Sequence, residues 1–472
     1  MNWSLHVDYV KTRAAAALNA LKMVCNKNYG VRRAVLLTFY KSYILPIFDY
    51  GCIVYSSAKE YILKRLNAIH NAGIRIATGA LISSPVCSLY VESGIAPLSL
   101  RRDKIIMRYM SKIGSCPSNP AHKELFLSNL DINAFPLNKP KPLCLRVRNM
   151  VDFMSLIVES EFVPYSRPRP PWSFEAPAID FSLHCDNKSN ISPLVFQKKI
   201  LDLMNSKYLD SVVCFSDGSK TPNSTSCAYS IDKQIHSFNL NKVNSVFSAE
   251  LMAILLCIKN LKFLPHNKFI IISDSMSALQ AISNLNSNNS LVPKIYSHWL
   301  DLKSCGKNLC FLWCPSHCGI KGNESVDNAA RNPNYNTTLR KCTSDDFRPM
   351  ISTIIMKNWQ TSWDNITNNK LKNIKPKIEE WVSSNRDSRY EEIVITRLRI
   401  GHTRLTHEFL FNKTPRPSCS CGEPLSVQHL LSCPSHDQAR SRLPSVPALI
   451  NDPINIDSTL SYLKAIGLFT KI

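Results

Sequence analysis

Asp217 follows the apolar run VVCFS, and Asp274 follows FIIIS. Each carboxylate is thereby delivered at the end of a buried strand, where rigid backbone fixes its position. An Asp after a strand also commonly makes a turn or caps the next helix, and Asp274 before SMSALQAI is placed to do so. Glu250 is more informative. The helix stripe Leu251, Ile254, Leu255, Ile258 and Leu261 faces a core, and Glu250 sits one turn before Ile254 along it. An ionised carboxylate buried there costs several kcal/mol unless it is paired or binds a cation. No Lys or Arg lies one turn away on this helix. A metal ion is one solution; a raised pKa or a distant Arg is the other.

The segment WCPSHCGIKGNESVDNAAR adds a fourth carboxylate, with Asn323 as an expected helix cap and Asp327 about one turn into the helix behind it. His317 sits in the preceding loop. Gly319 and Gly322 bracket a segment that could move, which suits a histidine that transfers a proton or helps release a product; the alternative is a merely solvated loop histidine. Four carboxylates spread over strand, helix, strand and helix suit Mg²⁺, which prefers oxygen ligands and keeps waters that a substrate can replace. Two such ions about 4 Å apart can activate a water and stabilise the leaving oxygen in phosphodiester cleavage. The arrangement predicts a nuclease.

The elements that must position these groups lie in an alternating stretch. VVCFS, CAYSI, IHSFNL, KFIIIS and NLCFLWC read as strands; SVFSAELMAILLCIKNL, SMSALQAISNL and ESVDNAAR read as helices. A mixed α/β domain with a five-stranded mixed sheet flanked by helices is expected over residues 210–335. Before it, residues 1–115 read as a basic helical region: Ile62, Leu66, Ile69 and Ile76 recur at helical spacing with Lys64, Arg65 and Arg75 between them. Residues 116–209 hold 11 of the 28 prolines, including the run SRPRPPWSFEAP, and read as a connector. Residues 336–472 are expected to be a mostly helical carboxy-terminal region.

The whole chain, 472 residues with 44% apolar composition, is large enough for several packed cores, which excludes wholesale disorder. Its net charge of +22 suits a polyanionic partner, nucleic acid first, better than a neutral metabolite. Residues 1–115 carry +11 of that surplus. The 17 cysteines are scattered, and the opening MNWSLHVDYVKTR has no apolar stretch of the secretion-signal kind, so a reducing intracellular compartment is expected, with nucleus and cytoplasm both open. Apolar runs such as LMAILLCI fall far short of the roughly 20 residues that span a bilayer.

SDGS, SAELMAILLCI, SDSMSAL and WCPSHCGIKGNESVDNAA, in that order, resemble the ribonuclease H family over the whole 210–335 stretch. The resemblance implies that Asp217, Glu250, Asp274 and Asp327 bind two Mg²⁺ ions, with Mn²⁺ as a substitute. It also implies that His317 assists proton transfer or product departure, and that the RNA strand of an RNA:DNA hybrid is cut endonucleolytically. Discrimination of that strand would rest on contacts to 2′-hydroxyls and on duplex shape. Some relatives carry a strongly basic extra helix for hybrid binding; here residues 288–307 offer only Lys294, Lys303 and Lys307. The basic flanking regions are then expected to supply grip. A catalytically silent nucleic-acid-binding remnant is the alternative, and a transposase or integrase on the same scaffold is a third.

The flanks extend the resemblance. SYILPIFDYG, LNAIHNAGIRIATGA and SLYVESGIAPLSLRR are similar to the thumb-side end of reverse transcriptases from jockey-type non-LTR retrotransposons, a family that places ribonuclease H next. The Tyr-x-Asp-Asp motif of the polymerase palm is absent, and the only adjacent aspartates are Asp345 and Asp346, so polymerisation by this chain alone is excluded. A truncated element copy, a partial gene model or a short domesticated product is expected. Near the other end, CSCGEPLSVQHLLSC supplies Cys419, Cys421, His429 and Cys433, a set compatible with tetrahedral structural zinc, although C-x-C is tighter than the familiar spacer. His436 is a substitute ligand, and reduced cysteines packed in a small helical core are the alternative. With RLRIGHTRLTHEFLF before it, this region resembles the tail of jockey-like polyproteins. Cys310, Cys314, His317 and Cys318 also suggest zinc, but Cys310 and Cys314 belong to an apolar strand pattern.

Overall fold

The computed structural model describes residues 3–127, 141–166, 175–184, 191–284, 287–333, 338–379, 381, 384–440, 443 and 453–472. Most of the proline run in the connector, residues 167–174, lies outside the described residues. The chain divides into two compact units. One draws on Met1–Ile106 and Thr353–Ile472, the other on Met107–Leu130 and Cys144–Ser352.

The second unit is built on a sheet of β1 (Ala178–Asp180), β2 (Val212–Lys220), β3 (Thr225–Ile231), β4 (Gln234–Leu240), β5 (Lys268–Ser273), β6 (Asn308–Trp313) and β7 (Thr338–Leu339). Their spatial order is β1-β6-β5-β2-β3-β4-β7. β2, β3 and β4 form an antiparallel meander, while β5, β6 and β1 add in parallel beyond β2. The β3–β4 connection is a two-residue turn with Asp232 and Lys233 both at positive φ, the geometry that matches the twist of paired strands. β5 is apolar and buried from Phe269 to Ile272, as a central parallel strand covered on both faces must be.

The helices that cover the sheet are α1 (Pro193–Ser206), α2 (Val246–Leu261), α3 (Met276–Ser283), α4 (Leu291–Ser304) and α5 (Lys321–Arg331). Phe269, Ile271, Leu309 and Phe311 pack towards α2, α3 and α4. Ile270, Ile272 and Leu312 point the other way, onto Phe196 and Ile200 of α1. Val326 and Ala330 of α5 pack on Ala228 and Phe215. The sheet is therefore one layer between two layers of helix.

Among the described residues the sheet has seven strands, where the sequence pattern predicts five. The five central strands are the expected ones. β1 and β7 are three and two residues long, too short to carry alternation, and both lie outside residues 210–335. Short strands at the rim are also how a sheet limits its exposed pairing edge. The expected connector thus donates β1, and it donates α1, whose Pro193 occupies a first-turn position that needs no N–H.

The first unit is helical. Glu60–Thr78 forms as its spacing predicts, with Ile62, Leu66 and Ile74 buried, and packs on Ser4–Val24 through Arg65, which pairs with Asp8 at 3.0 Å. Its core combines residues from both ends of the chain: Leu18, Leu36, Leu66 and Leu89 share a cluster with Trp359, Trp363, Leu371 and Ile400. A buried ionic network runs through the same place. Glu392, fully buried, accepts from the Arg33 backbone N–H at 2.7 Å and from the Arg389 guanidinium at 3.3 Å. Arg33 lies 3.5 Å from Glu92, whose other contact is the Ser384 hydroxyl at 3.1 Å. Arg399 donates to Ser384 at 2.6 Å and stacks on Trp381. Residues 33, 92, 384, 389, 392 and 399 therefore fold as one set.

Removing one partner of a buried pair strands the other charge, so Glu392→Ala should cost about 3–5 kcal/mol. Urea unfolding followed by tryptophan fluorescence reads this through Trp359, Trp363 and Trp381; a loss below about 1 kcal/mol would mean that the network contributes no more than a surface pair.

Candidate active site

Asp217 lies inside β2 rather than after it, because pairing with β3 continues through Lys220. Its neighbour Gly218 lets α2 come close: a Cβ at that position would lie 2.4 Å from the Glu250 backbone nitrogen. Glycine is required there by contact, not by a turn. Asp274 leaves β5 as the strand ends. The Trp313 indole donates to its carbonyl at 3.1 Å, and the Asn323 amide donates to its carboxylate at 3.2 Å. Carboxylate oxygens of Asp217, Glu250 and Asp274 all fall within 4.8 Å of one another.

Glu250 is 6% exposed, as the sequence predicts, and its Oε2 has no hydrogen-bond partner among the described residues. The helix that carries it is latched at its start. Ser245 accepts from the Ser248 backbone N–H, while its own N–H and hydroxyl donate to Asp346 at 2.9 and 2.8 Å. The other oxygen of Asp346 accepts from the Thr343 N–H and hydroxyl, both at 2.8 Å. Asp346, noted in the sequence only as half of an acidic pair, is thus a positioning residue, and Thr-Ser-Asp-Asp is a capping-box signal that could have revealed it.

The fourth carboxylate stands beside this group without joining it. Asp327 is bound by Arg331 at 2.9 Å, one turn along α5, and its other oxygen is 4.0 Å from His317 Nδ1. Its charge still reaches Asp217, Glu250 and Asp274. Asn323 does not cap α5, because the helix starts at Lys321; the side chain turns to Asp274 instead. His317 is exposed and held at positive φ. The loop around it is tied down rather than loose. Gln197 of α1 donates to the Cys318 carbonyl at 2.9 Å, and Gly322 lies inside α5 against the Phe215 ring, where a Cβ would meet carbon at 2.1 Å.

Burial and mutual repulsion raise the carboxyl pKa values. Asp217 is pushed up to about 7 by burial first, then by Asp274 and Asp327. Glu250 is raised well above the usual range by burial and by Asp217, and Asp274 is raised by burial against the Asn323 hydrogen bond. Buried, crowded, under-satisfied oxygens of one sign are a donor set for a hard divalent cation.

A second donor set lies in the first unit. Cys419 and Cys421 sit in a turn closed by the Ser418–Pro424 bridge, His429 lies on the helix Val427–Ser432, and Cys433 ends that helix. Cys419 and Cys433 Sγ are 3.5 Å apart, Cys421 and Cys433 3.8 Å, and Cys421 Sγ to His429 Nε2 is 3.3 Å. Ligands about 2.3 Å from a tetrahedral centre would be spaced by about 3.8 Å. The Cys421 backbone N–H and His429 hold the Cys419 thiol down at about 6. His436 is not part of this group, and Cys310, Cys314, His317 and Cys318 form no such group among the described residues.

A mixed sheet with an antiparallel meander and parallel additions, carrying three clustered carboxylates on adjoining strands and the facing helix, defines the ribonuclease H-like class of α/β domain. Residues 210–334 match the family model described as RNase H. The chain therefore contains an RNase H domain, a domain of a nuclease family. No curated protein matches the chain.

The raised carboxyls set a pH dependence. A group whose pKa rises on folding stabilises the folded state at low pH, and that contribution is lost as pH climbs from the unfolded value, 3.8 for Asp217, through about 7. Without divalent cation, Asp217→Asn should therefore raise stability at pH 8, by on the order of 1–3 kcal/mol, and change little at pH 4. Added MgCl₂ should raise the wild-type melting temperature more at pH 8 than at pH 5, and raise that of Asp217→Asn less. Equal melting curves for both proteins at pH 8, with and without Mg²⁺, would remove the repulsion from the account.

Proposed function

We propose that the RNase H domain hydrolyses the RNA strand of RNA:DNA hybrids in an Mg²⁺-dependent, endonucleolytic reaction. The observation that carries this reading is the buried meeting of Asp217, Glu250 and Asp274 within 4.8 Å, with Glu250 Oε2 unpartnered. Divalent cations bound there would supply Lewis-acid charge for a phosphodiester and its attacking water. The chain's own part is positional. Asp217, Glu250 and Asp274 hold the cations from β2, α2 and the end of β5, and Asp327 adds a fourth charge from α5. Asn323 and Trp313 fix Asp274 from its side chain and its backbone. His317, exposed beside Asp327, would carry a proton or assist product departure.

The flanks enter the same reading as parts of a retrotransposon polyprotein. The support is the likeness of SYILPIFDYG and LNAIHNAGIRIATGA to a reverse-transcriptase thumb, together with the order thumb-like helices, then RNase H. Cys419, Cys421, His429 and Cys433 hold a structural zinc ion, supported by ligand spacings close to a tetrahedral edge. That ion would pin the turn at residues 419–424 to the helix Val427–Ser432, whose Val427, Leu430 and Leu431 pack on Val394, Leu398 and Leu460.

Incubating the full chain with a labelled RNA:DNA hybrid and Mg²⁺ tests the activity, with single-stranded RNA and duplex DNA alongside. Cleavage confined to the RNA of the hybrid, reduced at least about 100-fold in Asp217→Asn, is expected. Hybrid cleavage no greater than that variant's would leave a silent binding remnant, and duplex DNA cleavage would point to a transposase-like enzyme.

Zinc is tested separately. Protein purified without chelator should carry one zinc per chain, and Cys433→Ser should lose it and lower the melting temperature. Metal analysis that finds no zinc in the wild type would leave three reduced cysteines and a histidine in a small helical core.

A further inference from the structure

Among the described residues the nuclease unit shows no basic extra helix, and two of the three lysines in residues 288–307 are already engaged. Lys303 pairs with Glu175, and Lys307 closes the end of α2 by donating to the carbonyls of Leu261, Lys262 and Leu264. Lys294 is the third, and it does not stand alone. Lys259 lies in the last turn of α2 and Lys262, three residues on, is its C-cap; Lys294 and His298 are four apart on α4, and α2 and α4 share a core that includes Ile254, Ile258, Leu291 and Ile295. Lys341 lies on the short strand Lys341–Cys342, and its charge reaches both Lys259 and Lys294.

These groups act on one another. Lys259 is lowered by burial and by Lys341; Lys294 by burial, Lys341 and Lys259; His298 by burial, Lys259, Lys262 and Lys294. The opposing charges are few: Glu161 near Lys294, and Asp301, which lies 3.8 Å from His298. Lys259, Lys262, Lys294 and Lys341 make no ion pair among the described residues, although Lys242 and Lys303 of the same unit each do. Cations held close together without carboxylate partners are a costly arrangement for a fold alone and a suitable one for a polyanion.

We infer that Lys259, Lys262, Lys294, His298 and Lys341 form a phosphate-binding surface that grips the backbone of an RNA:DNA hybrid away from the carboxylate centre. This deepens the nuclease reading and rests on it for the identity of the duplex. α2 supplies the ruler. Glu250 is near its start, and Lys259 and Lys262 follow nine and twelve residues later, which is about 14 and 18 Å along the axis at 1.5 Å per residue. At roughly 3.4 Å per nucleotide, that offset is about four to five base pairs. One helix thus sets both the metal ligand and the distance at which the duplex is held, and the acidic centre need not attract the phosphates that it must cut.

The test measures binding, not cleavage, so that it fails separately from the nuclease reading. A fluorescent hybrid is titrated with the full chain without added Mg²⁺ over a range of KCl concentrations. The variant Lys259→Gln/Lys294→Gln/Lys341→Gln should bind roughly tenfold more weakly, and its slope of log K against log salt should be shallower by about 2–3. A charge-matched control, Lys123→Gln/Lys198→Gln/Lys199→Gln, changes exposed lysines elsewhere in the same unit and should keep the wild-type slope. Thermal melting checks that all three proteins are folded. Equal affinity and slope for wild type and the first variant would overturn the inference, as would an equal loss in the control. A wild type that binds by this surface yet cleaves nothing would overturn only the catalytic reading.

Discussion

Three carboxylates that repel one another are held together, two of them buried and Asp274 partly buried, and much of the nuclease unit can be understood as the means of holding them. Each lies on a different element, so no local segment can relieve the crowding by fraying. β2 is flanked by β5 on one side and β3 on the other, which fixes Asp217 between two partners. Gly218 lets the start of α2 approach the sheet closely enough for Glu250 to enter the same space. Asp346 then ties down the start of α2 by accepting from the Ser245 N–H and hydroxyl. Functional sites commonly store unfavourable interactions that the surrounding fold over-determines, and here the cost is electrostatic rather than backbone strain.

The parts of this arrangement that were legible in the sequence are those written in long apolar patterns. VVCFS and KFIIIS read as strands because buried parallel strands are continuously apolar, and Glu250 stood out as a charge on an apolar helix stripe. α4 escaped that reading although Leu291, Ile295, Trp299 and Leu302 carry its period, because Pro293 and the Asn/Ser-rich stretch before it suggest a loop. β1 and β7 were illegible for want of length. The expected helix start lies three residues too late, which is enough to turn Asn323 from a cap into a hydrogen-bond donor to Asp274. Local patterns and the family resemblance together named five candidate residues, but neither could show that Asp327 would turn to Arg331 rather than to the other three carboxylates. The Cys/His group was legible because its four members fall within 15 residues.

The discontinuity of the helical unit was the least legible feature, and for a plain reason. Arg33 and Glu392 are 359 positions apart, so no window of sequence contains their contact. A charge pattern shows only that Arg33, Glu92, Arg389, Glu392 and Arg399 exist; burial is what makes them interact strongly. An apolar set of similar volume could be as stable, but its members would pack in many combinations. Charges taken out of water must each find a specific partner, which gives residues at the two ends of a long chain a defined way to recognise one another.

The charge of the chain has to be read by location as well as in total. A net charge of +22 brings a polyanion near, yet the carboxylate centre presents the phosphodiester with charge of its own sign. Under the proposed reading, separating the two functions resolves the conflict: cations displaced along α2 would supply attraction, and the acidic centre would become compatible with a phosphate once divalent ions neutralised it. Attraction by lysine weakens steeply with salt because it depends on released counterions, whereas buried carboxylates are screened much less. Binding and metal loading in such a domain should therefore respond to different variables, the first to ionic strength and the second to pH through the raised carboxyls of Asp217, Glu250 and Asp274. A fold that places both on one helix couples them in space while leaving them separable in solution.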